Sequence, residues 1–156
     1  MPAPASQTSG VGAGLSFTGF QLQAGNGSSP ETFTTICNVS DFTMPLKAET
    51  ADVTNAGDLW RRRISTLLDM GTIKFKIFYM PKEATHQNST SGVIRGLRLL
   101  MINQTLVNFK AIYPDQAVAS TDYFAAYVTG FNETGKVGDV FTADIELSNN
   151  GAPTLQ

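Results

Sequence analysis

The stretch GTIKFKIFYMP, residues 71–81, decides the fold class of this 156-residue chain. Apolar and polar residues alternate along it, which is typical of a strand with one buried face and one solvated face. The expected buried face carries Ile73, Phe75, Ile77 and Tyr79, and the opposite face carries Thr72, Lys74, Lys76 and Phe78. The alternation therefore predicts a half-buried antiparallel strand over residues 72–80.

Segments on both sides of this stretch predict more strands. They cover residues 32–38, 49–53, 106–113, 123–131 and 140–148. The last of them alternates as cleanly as the first. One face carries Phe141, Ala143, Ile145 and Leu147, and the other carries Thr142, Asp144, Glu146 and Ser148. Apolar residues at helical spacing, after candidate N-caps in residues 89–91, predict one helix over residues 92–102. The expected fold is mainly β, an antiparallel β-sandwich or rolled sheet with one flanking α-helix.

The chain divides by composition into two parts. Residues 32–156 are expected to form a single β domain, whereas residues 1–31 are rich in Ala, Ser, Gly and Pro and predict a flexible N-terminal arm. Leu15, Phe17 and Phe20 are apolar residues within that arm. Two interpretations are open: a flexible terminus, or an arm that becomes ordered when these three side chains contact a neighbouring subunit.

A long hairpin loop is predicted over residues 54–71, where two to five residues would be usual. Residues 59–70 within it could form a short helical turn. The loop contains Trp60, Arg61, Arg62 and Arg63, followed by the apolar residues Ile64, Leu67 and Leu68. One interpretation is a solvated loop. The one we prefer is a contact surface, because Trp and Arg are enriched where proteins meet and the apolar residues would need a partner.

Composition excludes several functional classes. A net charge of −2 gives no electrostatic reason to hold nucleic acid tightly. Cys37 is the only cysteine and His86 the only histidine, so neither a disulfide framework nor a metal cluster is expected. We interpret His86 as a surface residue of a polar loop and Cys37 as a buried or half-buried thiol. No phosphate-binding motif, signal peptide or membrane-spanning run is found, so we expect a soluble protein that is not an enzyme and has no cofactor.

The order of these segments resembles that of the tail tube proteins of long-tailed, lambda-like bacteriophages. The resemblance covers essentially the whole chain and rests on the following features: the start at residues 1–4, the long loop, Met80-Pro81, the helix, Tyr113-Pro114-Asp115, and the ending Gly151-Ala152-Pro153-Thr154. Each motif is weak alone, and their order and spacing carry the likeness.

The resemblance implies a structural virion protein. Such subunits form hexameric rings, closing a β-barrel around a lumen, and the rings stack into the tube that conducts DNA into the host. The implied partners are further copies of the chain, a tail-tip initiator, tape measure and terminator proteins, and DNA passing without specific contacts. The implied location is the virion tail, assembled in the host bacterial cytoplasm.

The resemblance also assigns roles to residues. The loop at 54–71, and with it the arm, would contact an adjacent ring. Asp144 and Glu146 are expected to face the lumen, with Lys74 and Lys76 either pairing with them across strands or lying at subunit seams. Two alternatives stay open at this point. One is a monomeric β-sandwich binding or adhesion module, with which five N-glycosylation sequons are compatible, and the other is a tube subunit of a related phage-like secretion machine.

Overall fold

The computed structural model describes residues 16–86, 96–114 and 120–155. Its elements are β1 (Gln21–Gly25), β2 (Phe33–Thr35), β3 (Val39–Thr43), β4 (Lys47–Asp52), β5 (Arg63–Asp69), β6 (Thr72–Phe78), α1 (Leu97–Ile102), β7 (Val107–Ile112), β8 (Thr121–Thr134) and β9 (Thr142–Asn149). Seven strands form one sheet in the order β2-β1-β7-β8-β9-β6-β3, and β4 and β5 form a separate two-stranded hairpin. All strand pairs are antiparallel.

The large sheet is rolled, although it does not close into a barrel. Its two edge strands, β2 and β3, are consecutive in the chain and only residues 36–38 separate them. A link that short spans at most about 14 Å, so the two edges must curl toward each other. Phe20, just before β1, contacts Phe42 of β3 with ring centroids 4.8 Å apart, which joins the two halves of the roll. The predicted mainly β rolled sheet is confirmed.

The concave side of the roll contains the hydrophobic core. Ile73, Phe75 and Ile77 of β6 are buried there, as are Ala143, Ile145 and Leu147 of β9, so the alternation predicted for these two strands is confirmed. Phe141, predicted on the same face, lies before β9 and is exposed. Tyr113 borders the core, and its burial, with a hydrogen bond to Asp122, raises the pKa of its phenol to about 12.

Helix α1 packs against β8 and begins without a side-chain cap. The backbone N–H groups of Leu97 and Arg98 instead donate to the carbonyl oxygens of Thr85 and His86, which satisfies donors that the first turn leaves free. Leu97 and Leu100 are buried, as their spacing predicts. The caps and first residues predicted for this helix, residues 89–95, lie outside the described residues.

Three boundaries differ from the sequence-based expectation. Gln21–Gly25, inside the predicted arm, is strand β1 of the large sheet, paired with both β2 and β7. The strand predicted over residues 32–38 ends at Thr35, and β3 follows after Asn38, whose φ of 60° turns the chain. The predicted helical turn at residues 59–70 is wrong, because Arg63–Asp69 is strand β5.

Candidate assembly surfaces

The β4–β5 hairpin projects from one end of the rolled sheet. It continues the β3–β6 pair beyond an interruption at Pro45 and Gly71, where Gly71 has φ of 64° and a side chain would meet the Pro45 ring. Every residue of β5 is exposed, and β4 and β5 pack mainly against each other. A two-stranded hairpin is marginally stable by itself in water. This one therefore needs a covering surface that residues 16–86, 96–114 and 120–155 of the same chain do not provide.

Large apolar side chains cover much of this hairpin. Leu59 is 97% exposed, Trp60 and Leu68 are each 84% exposed, and Leu67 is 69% exposed. Ile64 is also exposed. Contiguous apolar surface on a soluble domain usually marks an interaction site. The apolar residues predicted for the long loop thus lie on one projecting element. Ile64, Leu67 and Leu68 are on strand β5 instead of a helical turn, and Trp60 is in the turn that precedes it.

The tip of the hairpin is held by its own hydrogen bonds. The Asn55 side chain accepts from the Gly57 N–H, and the Asp58 carboxylate accepts from the Asn55 N–H. Asp58 also pairs with Arg62 at 3.8 Å. These contacts fix the tip before any partner arrives, so a partner would meet a preorganised surface.

Asp52 ends β4 and closes the hairpin opposite Arg63. Its carboxylate accepts hydrogen bonds from the hydroxyl and the N–H of Thr54. These bonds favour the charged form and lower the pKa of Asp52 from its ordinary value. Among the three arginines of the loop, Arg62 therefore pairs with Asp58, while Arg63 lies beside a fixed carboxylate. Arg61 has no ion-pair partner among the described residues.

The convex side of the sheet carries a charged ladder across β6 and β9. Lys74 lies opposite Glu146 and Lys76 opposite Asp144, with closest nitrogen to oxygen distances of 3.4 and 3.6 Å. The structure therefore has the cross-strand pairing that was one of the two sequence-based expectations. Asp41 of β3 flanks Lys76 on its other side. The local charges are nearly balanced, so this face is polar and weakly acidic.

Space for one of these carboxylates comes from a glycine. Gly130 of β8 lies opposite Glu146, and a side-chain carbon at residue 130 would come within 3.2 Å of Glu146 Cβ. The sequence alone gave no sign of this role for Gly130.

The aromatic residues of the predicted arm divide into two environments. Phe20 is half-buried against the core and contacts Phe42 and Tyr113. Phe17 stacks on Phe20 at 5.0 Å but remains exposed. Phe20 thus has partners within its own chain, which leaves Phe17 as the more available of the two for a neighbouring subunit. Leu15 lies outside the described residues.

His86 and Cys37 are neighbours in the fold. His86 is fully buried, so its interpretation as a surface residue is wrong. Its Nδ1 accepts from the Met80 N–H, and its Nε2 lies 2.7 Å from the Cys37 carbonyl oxygen. Cys37 is half-buried, and burial, followed by the nearby Glu83, raises the pKa of its thiol, which makes it a poor nucleophile. Within the described ranges, no His, Cys, Asp and Glu side chains group into a metal site, and no helix could span a membrane.

Comparisons with known proteins identify these features with one family and one group of structures. The family model described as "Lambda phage tail tube protein" matches residues 17–156. A chain from the tail of an empty gene transfer agent particle with C6 symmetry superposes with a TM-score of 0.66 at 14% identity, covering 88% of this chain and 95% of that one.

Two further solved structures have the same fold. An anti-feeding prophage baseplate chain gives a TM-score of 0.62 at 11% identity, covering 100% of this chain and 96% of that chain. A chain from the sheath and tube terminator of an extracellular contractile injection system gives 0.63 at 11% identity, with coverages of 94% and 99%. A comparison with curated protein sequences finds no significant match.

Proposed function

Because this chain belongs to the lambda phage tail tube protein family, we propose that it assembles into hexameric rings that stack into a tail tube for DNA. As a member of that family it is a structural subunit of the virion tail. The monomeric binding module and the secretion-machine subunit are not favoured, because the family match covers residues 17–156. The hexameric ring is proposed by analogy with the gene transfer agent tail, which has C6 symmetry.

We assign the contact between stacked rings to the β4–β5 hairpin. A fully exposed two-stranded element with several large apolar side chains is stabilised only when a partner buries it. Each large apolar side chain removed from water contributes about 1.5–3 kcal/mol, so a few of them supply a strong contact between rings. In this proposal Trp60, Ile64, Leu67 and Leu68 pack on a subunit of the adjacent ring. Arg61, Arg62 and Arg63 lie around that contact, and Leu15, Phe17 and, to a lesser degree, Phe20 extend it from the arm.

We assign the lumen wall to the charged ladder of β6 and β9. A face with Lys74 and Lys76 paired to Glu146 and Asp144 offers no free cationic stripe to phosphate groups. Asp41 adds a further carboxylate beside Lys76. We place this face toward the lumen, where a polar and weakly acidic wall lets the duplex move without being held. In the assembled ring the sheets of neighbouring subunits close the barrel that the monomer leaves open.

The proposed partners of the tube are a tail-tip initiator, a tape measure protein and a terminator, which lie at its ends and inside it. Assembly is proposed to occur in the host bacterial cytoplasm. The chain acts by its architecture and not as an enzyme.

Negative-stain electron microscopy of the purified chain over a concentration series tests the proposal. The expected result is rings or hollow tubes of uniform diameter, with a lumen wide enough for duplex DNA. A chain that stays monomeric at the highest concentration, and also when mixed with preformed tail tips, would contradict it. Tubes with a lumen too narrow for a duplex would also contradict the DNA-conduit role.

A further inference from the structure

A tube that grows without limit needs two different surfaces at opposite ends of each subunit, because only a head-to-tail contact propagates. Strand β9 connects two such surfaces in this chain. Its first residue, Thr142, follows a turn at residues 135–141, and its last residue, Asn149, lines a groove. Eight residues of strand put these surfaces roughly 23 Å apart. A shift of one subunit along β9 would bring the turn of one copy to the groove of the next.

The groove is a concave apolar surface at the base of the β4–β5 hairpin. It has a volume of about 730 Å³ and lies between the hairpin and the segment that follows β9. Its apolar lining includes Leu46, Leu68, Met70, Pro153 and Leu155, of which Leu46, Leu68 and Leu155 are well exposed. Such a surface is stabilised when apolar side chains replace water within it.

The β8–β9 turn has the complementary shape. Val137 at its tip is fully exposed, and Val140 and Phe141 are more than half exposed. The Asp139 N–H donates to the Lys136 carbonyl, and the Phe141 ring occupies the space where a side chain at Gly135 would lie. The turn is therefore held in one conformation that presents an apolar tip.

Charges at the two surfaces also match. Lys47 and Asp69 lie opposite each other at the groove, giving it one cation and one anion. Lys136 and Asp139 flank Val137, giving the turn one anion and one cation as well. Two opposite-charge pairs can therefore form around the inserted apolar tip, and they would select a single orientation of the turn.

From these observations we infer that the groove receives the β8–β9 turn of the next copy along the tube axis. The inference rests on the proposed tube function and specifies its second axial contact, beside the hairpin. Val137 is the residue that enters, and Leu46, Leu68 and Leu155 are the residues that receive it.

Cross-linking between two differently marked chains tests the inference. One chain carries Val137→Cys and the other Ala152→Cys, an exposed residue that lines the groove and removes no apolar contact when replaced, both with Cys37→Ser. The mixture is treated with a short bismaleimide and examined by microscopy. Both positions are exposed, so neither change should impair folding. The expected result is tubes with covalent dimers that appear only in the mixture. The matched control replaces Ala152→Cys by Met80→Cys, exposed near the turn end of the sheet, and should give few dimers.

Each outcome decides between the inference and the function on which it rests. Tubes without dimers between residues 137 and 152, or with as many dimers to Met80 as to Ala152, overturn the inference and leave the tube function standing. Neither tubes nor dimers, with no tubes from the unsubstituted chain either, overturn both. Tubes in which Val137→Cys links instead to Ala56→Cys identify the hairpin tip as its partner and also overturn the groove assignment.

A charge exchange gives an independent readout. Reversing the turn (Lys136→Asp with Asp139→Lys) should raise the concentration needed for assembly by at least about tenfold. Reversing the groove (Lys47→Asp with Asp69→Lys) should do the same. All four changes in one chain should restore assembly, because the pairs are re-formed with their signs exchanged. Additive loss in the fourfold variant would overturn the pairing.

Discussion

Lys76 lies directly opposite Asp144 in the β6–β9 ladder, with its Nζ atom 3.6 Å from the carboxylate. Lys74 and Glu146 repeat this relationship two residues along, at 3.4 Å. All four side chains are at least partly exposed to solvent, where such pairs contribute little to stability, between about 0 and 1 kcal/mol each. The main effect of the pairing is therefore on the charge of the face, since it neutralises two lysines that would otherwise attract phosphate.

Reversing both carboxylates tests this view of the face. In Asp144→Lys with Glu146→Lys, like charges oppose each other at two positions, so we expect a small loss of stability, about 0.2–1 kcal/mol per pair. The same change puts four lysines on the proposed lumen wall, which should slow genome ejection. Thermal unfolding and the rate of DNA release from particles carrying the variant measure the two effects.

The fully exchanged ladder is the matched control. Adding Lys74→Glu and Lys76→Glu to the previous variant restores both pairs and the original net charge. Its ejection rate should return close to that of the wild-type chain. Its stability should recover apart from a small loss, about 0.2–1 kcal/mol, because Asp41 then lies opposite a carboxylate at position 76. Ejection at the wild-type rate from the four-lysine particles would instead show that this face does not line the lumen.

Substitutions in the β4–β5 hairpin should impair assembly without impairing folding. Replacing Trp60 and Leu67 by Ser should leave monomer stability within about 0.5 kcal/mol, because both side chains are exposed in the monomer. Polymerisation should be abolished, since the apolar contact between rings is lost. Sedimentation velocity and thermal unfolding of the same samples give both quantities.

Ile73→Ser supplies the comparison, because this residue is fully buried in the core four positions after β5 ends. It should lower the free energy of unfolding by several kcal/mol, roughly 2–5 for the loss of a large buried apolar side chain. If Trp60→Ser with Leu67→Ser lowered monomer stability by a comparable amount, these residues would belong to the core and not to an assembly surface.

The strand that the sequence failed to predict shows why spacing alone misleads. Ile64, Leu67 and Leu68 have the spacing of three and four that is typical of a helix face. In the structure they lie on β5, where Thr66 and Leu67 together oppose the single residue Glu49 of β4. This bulge adds one residue to the strand and breaks its period of two. The apolar character of the segment was thus predictable, and its conformation was not.

Long-range contacts explain the other differences. Strands β6 and β9 could be predicted because apolar and polar residues alternate along them, and this alternation follows directly from which side chains are buried. In contrast, β1 has a polar composition and is stabilised by pairing with β2 and β7, which are distant in sequence or short. His86 is polar and lies in a loop, yet the chain folds it beneath Met80 and Cys37. Neither the pairing of β1 nor the burial of His86 could be inferred from residues that are close in sequence.

The hairpin closure should depend on pH through Asp52. The hydrogen bonds from Thr54 lower the pKa of Asp52 from its usual value of 3.8, so the charged carboxylate is favoured by the folded hairpin. Its contribution is therefore complete above pH 3.8 and is lost as the pH falls through the lowered pKa of the folded state. Hydrogen exchange at the Thr54 N–H should accelerate, relative to the core amides, over that acidic range.

Asp52→Asn is the control for this titration. Its side-chain oxygen can still accept from the Thr54 N–H, but it has no proton to gain in this range. Protection at Thr54 should then be independent of pH below 3.8. Equal acid sensitivity in the wild-type chain and in this variant would place the titrating group elsewhere.

Replacing the buried His86 should lower the free energy of unfolding more than any surface substitution does. His86 accepts from the Met80 N–H through Nδ1, so its neutral ring carries the proton on Nε2 and donates to the Cys37 carbonyl at 2.7 Å. His86→Leu leaves both backbone groups without this partner, and we expect a loss of roughly 2–4 kcal/mol in the free energy of unfolding. His86→Asn can keep the bond from Met80 and should lose less. Urea unfolding at neutral pH gives the order of stability of the three proteins. A Leu variant as stable as the wild type would mean that the ring does not join the segments around Cys37 and Met80.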